Sequence, residues 1–344
     1  MLKVREHSPE DVPAITEMVG RNLGVPGYDV KYFEWKFSRR AGDKRPLGFV
    51  AEDEGRVMGF ASFFPYRARL AGRTGHIYLI ADCVVRPEHR GKGLFGRLFG
   101  QALERVEAEA GTIGTYLFSS ADSDAIYKKR YGYRPIGRPE YHIGMGDWTR
   151  PLAGKLGIRA GKPGASPAPA ERRENGLVLR QEEGFDASYD RLWERLAGPS
   201  AFVLERTSDY LSWRFLGHPW HSYRLLTCRD EAGELRGYAV LRVDSIHDFA
   251  FADAASGVAL LRFARQICRL TGVPVVNCLS LSSDVEKRAL SGAGFVKYGI
   301  PFRPFGLYSR PKPLVRPAAS CPGSELLLDS KNWKFTFADV DCGV

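Results

Sequence analysis

The sequence predicts a mixed α/β protein made of two related units in tandem, each a twisted, mainly antiparallel sheet flanked by helices. Three observations carry that expectation. An apolar strand-like run, 76–85, enters the Gly-rich basic loop Arg90-Gly91-Lys92-Gly93 and then a helix-patterned segment, 94–109. Ahead of it, one helical pattern precedes an antiparallel hairpin. Finally, Tyr32-Phe33-Glu34-Trp35-Lys36-Phe37 is echoed by Tyr210-Leu211-Ser212-Trp213-Arg214-Phe215, and Gly59-Phe60 by Gly237-Tyr238, both at an offset of 178.

The elements follow in order. Ser8-Pro9-Glu10-Asp11 is a helix-start signal ahead of 12–23, where Val12, Ile15, Met18, Val19 and Leu23 keep near-helical spacing. Runs 48–52 and 57–64 read as strands joined by the Asp53-Glu54-Gly55 turn. After the loop, Leu94, Leu98, Ala102, Leu103 and Val106 form a buried stripe, with Glu104, Glu107 and Glu109 facing water. Run 115–118 is a short buried strand and 123–131 a helix ending at Gly132, with Ser120 read as its cap.

In the second half, 249–253 reads like the strand that ends in Ala81-Asp82, and 258–270 is a helix with Leu260, Leu261, Ala264 and Ile267 inward. Runs 324–328 and 333–337 look like late strands. Residues 161–170, rich in Pro, Gly and Ala, read as a linker. The expected layout is therefore 1–148, a linker at 149–176, a second unit at 177–310 and a tail at 311–344.

The loop leaves backbone N–H groups unpaired at a helix N-terminus, where the helix dipole, Arg90 and Lys92 favour a bound anion. Gly91-x-Gly93-x-x-Gly96 also fits the dinucleotide fingerprint, but that site wants its glycines directly after a first strand and an acid closing the next. Residues 86–90 intervene here, and Ser119-Ser120 follows the next strand. No Gly-Lys-Ser/Thr completes a Walker loop.

Val85-Arg86-Pro87-Glu88-His89-Arg90-Gly91-Lys92-Gly93 resembles motif A of the GNAT N-acetyltransferase superfamily, and the element order resembles that fold over nearly all of 1–148. The resemblance implies acetyl-CoA as co-substrate, held by Cys83, Val84, Val85, Arg90, Gly91, Lys92, Gly93, Leu94 and Phe95. Phe95 departs from the small residue usual at its place. It also implies direct attack of an amine on the thioester, with Asp82 as base or acceptor anchor and Tyr127 as proton donor to the departing thiolate. Tyr127 stands five residues before Gly132, with Lys128 in the usual slot, a rotation of about 100° on a helix. The second unit lacks the Arg-x-x-Gly-x-Gly loop and reads as a degenerate copy without a CoA site.

With 44% hydrophobic residues in 344, the chain can bury two cores. No run reaches membrane-span length, the N-terminus has no signal-peptide pattern, and six scattered cysteines suit a reducing cytoplasm. His218-x-x-His221 lacks further ligands at metal spacing, so no metal is expected. A net charge of +10, dispersed along the chain, suits CoA phosphates; no recognised module or basic run supports a nucleic-acid partner. The expected partners are a small amine acceptor, an amino sugar among the candidates, and a second copy of the chain. The rival readings are a CoA-binding sensor or scaffold without catalysis and a dinucleotide-dependent oxidoreductase.

Overall fold

The computed structural model describes residues 2–24, 27–145, 171–281, 283–298 and 312–340. In the first half, β1 (Lys3–Glu6), α1 (Val12–Leu23) and α2 (Val30–Phe37) precede the meander β2 (Leu47–Asp53), β3 (Arg56–Leu70) and β4 (Arg73–Val85). Then come α3 (Leu94–Glu107), β5 (Thr112–Ser119), α4 (Ala121–Tyr131), β6 (Arg134–Pro135) and β7 (Glu140–Met145). The second half runs β8 (Glu171–Glu174), β9 (Leu177–Glu182), α5 (Ala187–Ala197), β10 (Phe202–Leu204) and α6 (Ser208–Leu211), which continues as a π turn over Ser212–Leu216. It closes with β11 (Arg224–Asp230), β12 (Leu235–Arg242), β13 (Ser245–Phe251), α7 (Ala254–Leu270), β14 (Val275–Ser280), α8 (Asp284–Gly292), β15 (Phe295–Tyr298) and β16 (Lys312–Pro317).

Each sheet takes in strands from the other half, β16 and β10 in the first and β7 in the second. The first has the order β1-β2-β3-β4-β5-β16-β6, with β10 added along β3; the second has β15-β7-β14-β13-β12-β11-β9-β8. β16 lies between β5 and β6, and β7 between β14 and β15, so the exchange is reciprocal. Arg316 anchors β16 in its host, donating from Nε to Glu107 at 2.6 Å and from a terminal guanidinium nitrogen to the Tyr131 carbonyl at 2.6 Å.

The repeated hexads meet at the junction. Trp35 Nε1 donates to the Trp213 carbonyl and Trp213 Nε1 to the Trp35 carbonyl, both at 3.0 Å, with the rings stacked 5.0 Å apart. Residues 178 apart thus satisfy each other as mates about a local twofold axis. One core joins both halves, including Tyr66, Tyr116, Tyr210, Tyr238 and Trp333. Arg206, also buried at this junction, donates to Asp248 at 2.9 Å and to both oxygens of Asp339 at 2.7 Å.

Several expectations change. Segment 324–328 is a 3-10 turn, and 333–336 carries a single bridge, Leu281↔Phe335, before Phe337 opens a further 3-10 turn. Trp333, Phe335 and Phe337 are all buried, and so is Thr336 between them, which an extended segment lying between the two halves needs no ladder to achieve. Glu171–Glu174, expected to end the linker, is β8; residues 149–170 lie outside the described residues. Glu107 and Glu109 do not merely face water: they pair with Arg316 and Lys44. Gly59 pairs with Val85 and Gly237 with Phe251, so it is Phe251 that corresponds to Val85, and 249–253 does not correspond to the stretch ending at Asp82.

Candidate functional site

Pro87 bends the chain out of β4 into a 3-10 turn, and Gly93 then starts α3 as its N-cap at φ +74° with no side chain capping the helix. Gly91 also sits at φ +74°, a region that penalises a Cβ, and the space beside both glycines is open. Arg90 is braced by Val85 through Nε at 3.2 Å and by Asn22 through its outer nitrogen at 3.0 Å. Uncapped helical N–H groups, exposed Lys92 and a braced guanidinium therefore face one open surface, the chemistry of an anion cradle. Leu94 is buried, and the Phe95 ring stacks on Phe99 at 5.4 Å, turned into the core.

Beside the loop, the sheet opens. β4 pairs with β5 in parallel from His76↔Thr112 to Leu79↔Tyr116; there the ladder ends, although β4 runs on to Val85 and β5 to Ser119. Cys83, Val84 and Val85 thus lie on a stretch of β4 beyond its pairing with β5. Tyr127 reaches into this wedge, packed against Phe99 at 5.3 Å and Tyr133 at 5.7 Å, with its hydroxyl on the Cys83 thiol. Lys128, in the slot where the proton donor was expected, turns outward to Asp124. Burial raises Cys83 to about 12 and holds Tyr127 well above the usual phenol range, so both stay protonated at neutral pH. Ser120 is the expected cap, accepting the Ser123 N–H.

Asp82 is the most unusual residue of the strand. It stands at φ +49° in a bulge, where the β3–β4 register slips between Phe60 and Ser62. Such a backbone costs about 1–3 kcal/mol and concentrates at functional positions. Its buried carboxylate accepts from Tyr28 at 2.7 Å and from the Lys36 ammonium at 2.8 Å. Lys36, on the repeated hexad, lies 4.8 Å from the Phe64 ring centre. Sequence reasoning missed Tyr28 and Lys36; the signal was a basic residue at one place in both hexads. A lysine partner favours the ionised carboxylate, which suits Asp82 to anchoring an ammonium more than to taking its proton.

The second copy has no cradle. Only Ala252 and Asp253 separate β13 from α7, and Asp253 fills the helix N-terminus itself, accepting the Ser256 N–H at 2.8 Å. The anion position is satisfied from within the chain. A separate cleft lined by Glu6, Asp43, Lys44, Arg45 and Glu109 shares no residue with the loop, and ion pairs join Lys44 to Glu109 and Arg45 to Glu6.

Burial also sets the histidines. His7, His76, His142, His218, His221 and His247 all lie below the usual imidazole value, with burial the first cause in each. His218 falls to about 3, through burial and then Arg214, and burial holds His247 well below the usual value as well. A lowered folded value means that the unfolded chain binds more protons below about pH 6.5, so stability is full above that point and lost as pH falls. For His218 alone the loss reaches roughly 2 kcal/mol by pH 5. Urea unfolding midpoints should fall from pH 7 to 5 and fall less in His218→Gln; a flat profile would contradict this.

Residues 13–133 match the acetyltransferase (GNAT) family model. A comparison with curated protein sequences gives no match. Among solved structures, a probable N-acyltransferase from Enterococcus faecalis V583 aligns at 10% identity and TM-score 0.64, covering 92% of this chain and 72% of that one. A GCN5-related N-acetyltransferase from Anabaena variabilis aligns at 14% and 0.64, covering 93% and 74%. Saccharomyces cerevisiae N-myristoyltransferase with bound myristoyl-CoA aligns at 12% and 0.56, covering 91% and 82%.

Proposed function

We propose that this chain, whose residues 13–133 are a GNAT-family domain, transfers an acetyl group from acetyl-CoA to a primary amine. The observation that carries the reading is the open cradle at Gly91 and Gly93 ending directly at the unpaired wedge of β4 and β5. Backbone N–H groups from Gly91 to Phe95, with Arg90 and Lys92, hold the pyrophosphate. Cys83, Val84 and Val85 flank the pantetheine arm. Phe99, Tyr127 and Tyr133 pack closely below Cys83, which supports a short acyl group.

The amine nitrogen attacks the thioester carbonyl carbon, a C–N bond forms, the C–S bond breaks, and the nitrogen loses a proton as the thiolate gains one. An alkylamine with pKa near 10.4 must first give up a proton, at a cost of about 4 kcal/mol at neutrality. Asp82 and Tyr28 hold the ammonium beside β4, and solvent carries that proton away. Tyr127, kept protonated by burial, gives its proton to the leaving sulfur and is reprotonated by the proton that the nitrogen loses on forming the amide.

The test is calorimetry with CoA and NAD side by side, then release of free CoA thiol from acetyl-CoA across an amine panel. The expected result is CoA binding with turnover, and a fall in kcat of about 10²-fold or more for Tyr127→Phe at unchanged CoA affinity. Binding without turnover for any amine would favour a sensor, and NAD binding without CoA binding would overturn the reading.

A further inference from the structure

Arg214 is the repeat mate of Lys36, 178 residues on, and the two line one cleft at the junction of the halves with Trp35, Tyr66, Trp213 and Ala338. The mates differ in one respect: Lys36 meets the Asp82 carboxylate, whereas Arg214 forms no ion pair with a carboxylate among the described residues. The acid that pseudo-symmetry would offer, Asp248, is already held by Arg206 at 2.9 Å, Tyr238 at 2.7 Å and Thr336 at 2.7 Å.

The β12–β13 register slips at His247, and that imidazole is fully buried with Nδ1 unpartnered. Arg214 is itself 8% exposed, and its one described hydrogen bond runs from Nε to the Ala338 carbonyl at 3.2 Å. A guanidinium carries five N–H donors, and burying such a charge without an anion is costly. The described groups beyond it add no carboxylate: His218, His221, Tyr223 and His247 follow in an aromatic chain with ring centres 4.6 to 6.3 Å apart, and Arg242 is a further cation nearby.

We infer that Arg214 is a specificity-determining residue that binds an anionic group, carboxylate or phosphate, on the acyl acceptor. The acceptor class is then an amine bearing an anion, its nitrogen at Asp82 and its anion at Arg214, which Trp35 and Trp213 flank in a cleft that also holds Lys36, the ion-pair partner of Asp82. This rests on the acyl-transfer reading.

Matched pairs test it: β-alanine against β-alaninamide, and phosphoethanolamine against ethanolamine, each with saturating acetyl-CoA so that the phosphate cradle is filled. The expected wild-type preference for the anionic member is about 30-fold or more in kcat/KM, consistent with roughly 2 kcal/mol from a charge-assisted contact. Which pair shows it assigns carboxylate or phosphate. In Arg214→Gln the preference should approach unity at unchanged CoA affinity, and Arg214→Lys should keep part of it. Equal use of both members by the wild type, or a preference that survives Arg214→Gln, would overturn the inference while leaving acyl transfer standing.

If no member is acetylated, tryptophan fluorescence of the CoA complex is titrated with acetate and with inorganic phosphate. A saturable response lost in Arg214→Gln supports the site, and no saturable response to either anion overturns it. Failure of CoA binding itself would instead remove the parent reading.

Discussion

Gly93→Val is expected to weaken CoA binding by about 10²-fold while leaving most of the fold's stability in place. Gly93 holds φ +74° at the start of α3, and a β-branched residue there must either strain the backbone or move it. The strain costs about 1–2 kcal/mol, small because the residue is exposed with open space beside it. Moving the backbone turns the amides of Leu94 and Phe95 away from the pyrophosphate. Hydrogen bonds to a charged group are worth about 1.5–3 kcal/mol each, so misaligning two of them costs about 10²-fold in affinity or more. Calorimetry with CoA on the wild type and variant, beside urea unfolding of both, separates loss of the cradle from loss of the fold. Unchanged affinity would place CoA elsewhere.

Asp82→Asn is expected to act on both activity and stability, and a second substitution parts the two effects. Breaking a buried ion pair from one side costs about 3–5 kcal/mol, and here the Lys36 ammonium loses its contact with Asp82. Loss of the acceptor anchor should also lower kcat/KM by about 10²-fold or more. In Asp82→Asn/Lys36→Gln the buried charge is gone, and stability should return toward the wild-type value while activity stays low. Recovery of both together would make Asp82 a purely structural partner of Lys36.

The parts of this site that sequence exposed were those fixed locally. Pro87, Gly91 and Gly93 dictate a turn whatever surrounds them, and the helical stripe from Leu94 to Val106 needs only its own spacing. The repeat was legible because Trp35 and Trp213 keep their places, and their reciprocal bonds show what the repetition serves. Long-range pairing was not legible. Nothing in residues 140–145 or 312–317 says that each joins the sheet of the other half, since a strand's pattern records burial and not the identity of its neighbour. The slip at Asp82 escaped for a related reason: its bulge exists only against β3, and its partners Tyr28 and Lys36 lie 54 and 46 residues away. The hexad itself carries no sign that Lys36 is buried, and only the fold brings it to Asp82.

The central claim is that one half of a duplicated chain holds CoA while the other has closed its equivalent position with its own Asp253. The most direct measurement is the stoichiometry of CoA binding by calorimetry on wild type, Gly93→Val and Asp253→Ala. One CoA per chain, lost or strongly weakened in Gly93→Val and kept in Asp253→Ala, is the predicted result. Two CoA per chain, or binding that ignores Gly93 and depends on Asp253, would contradict it.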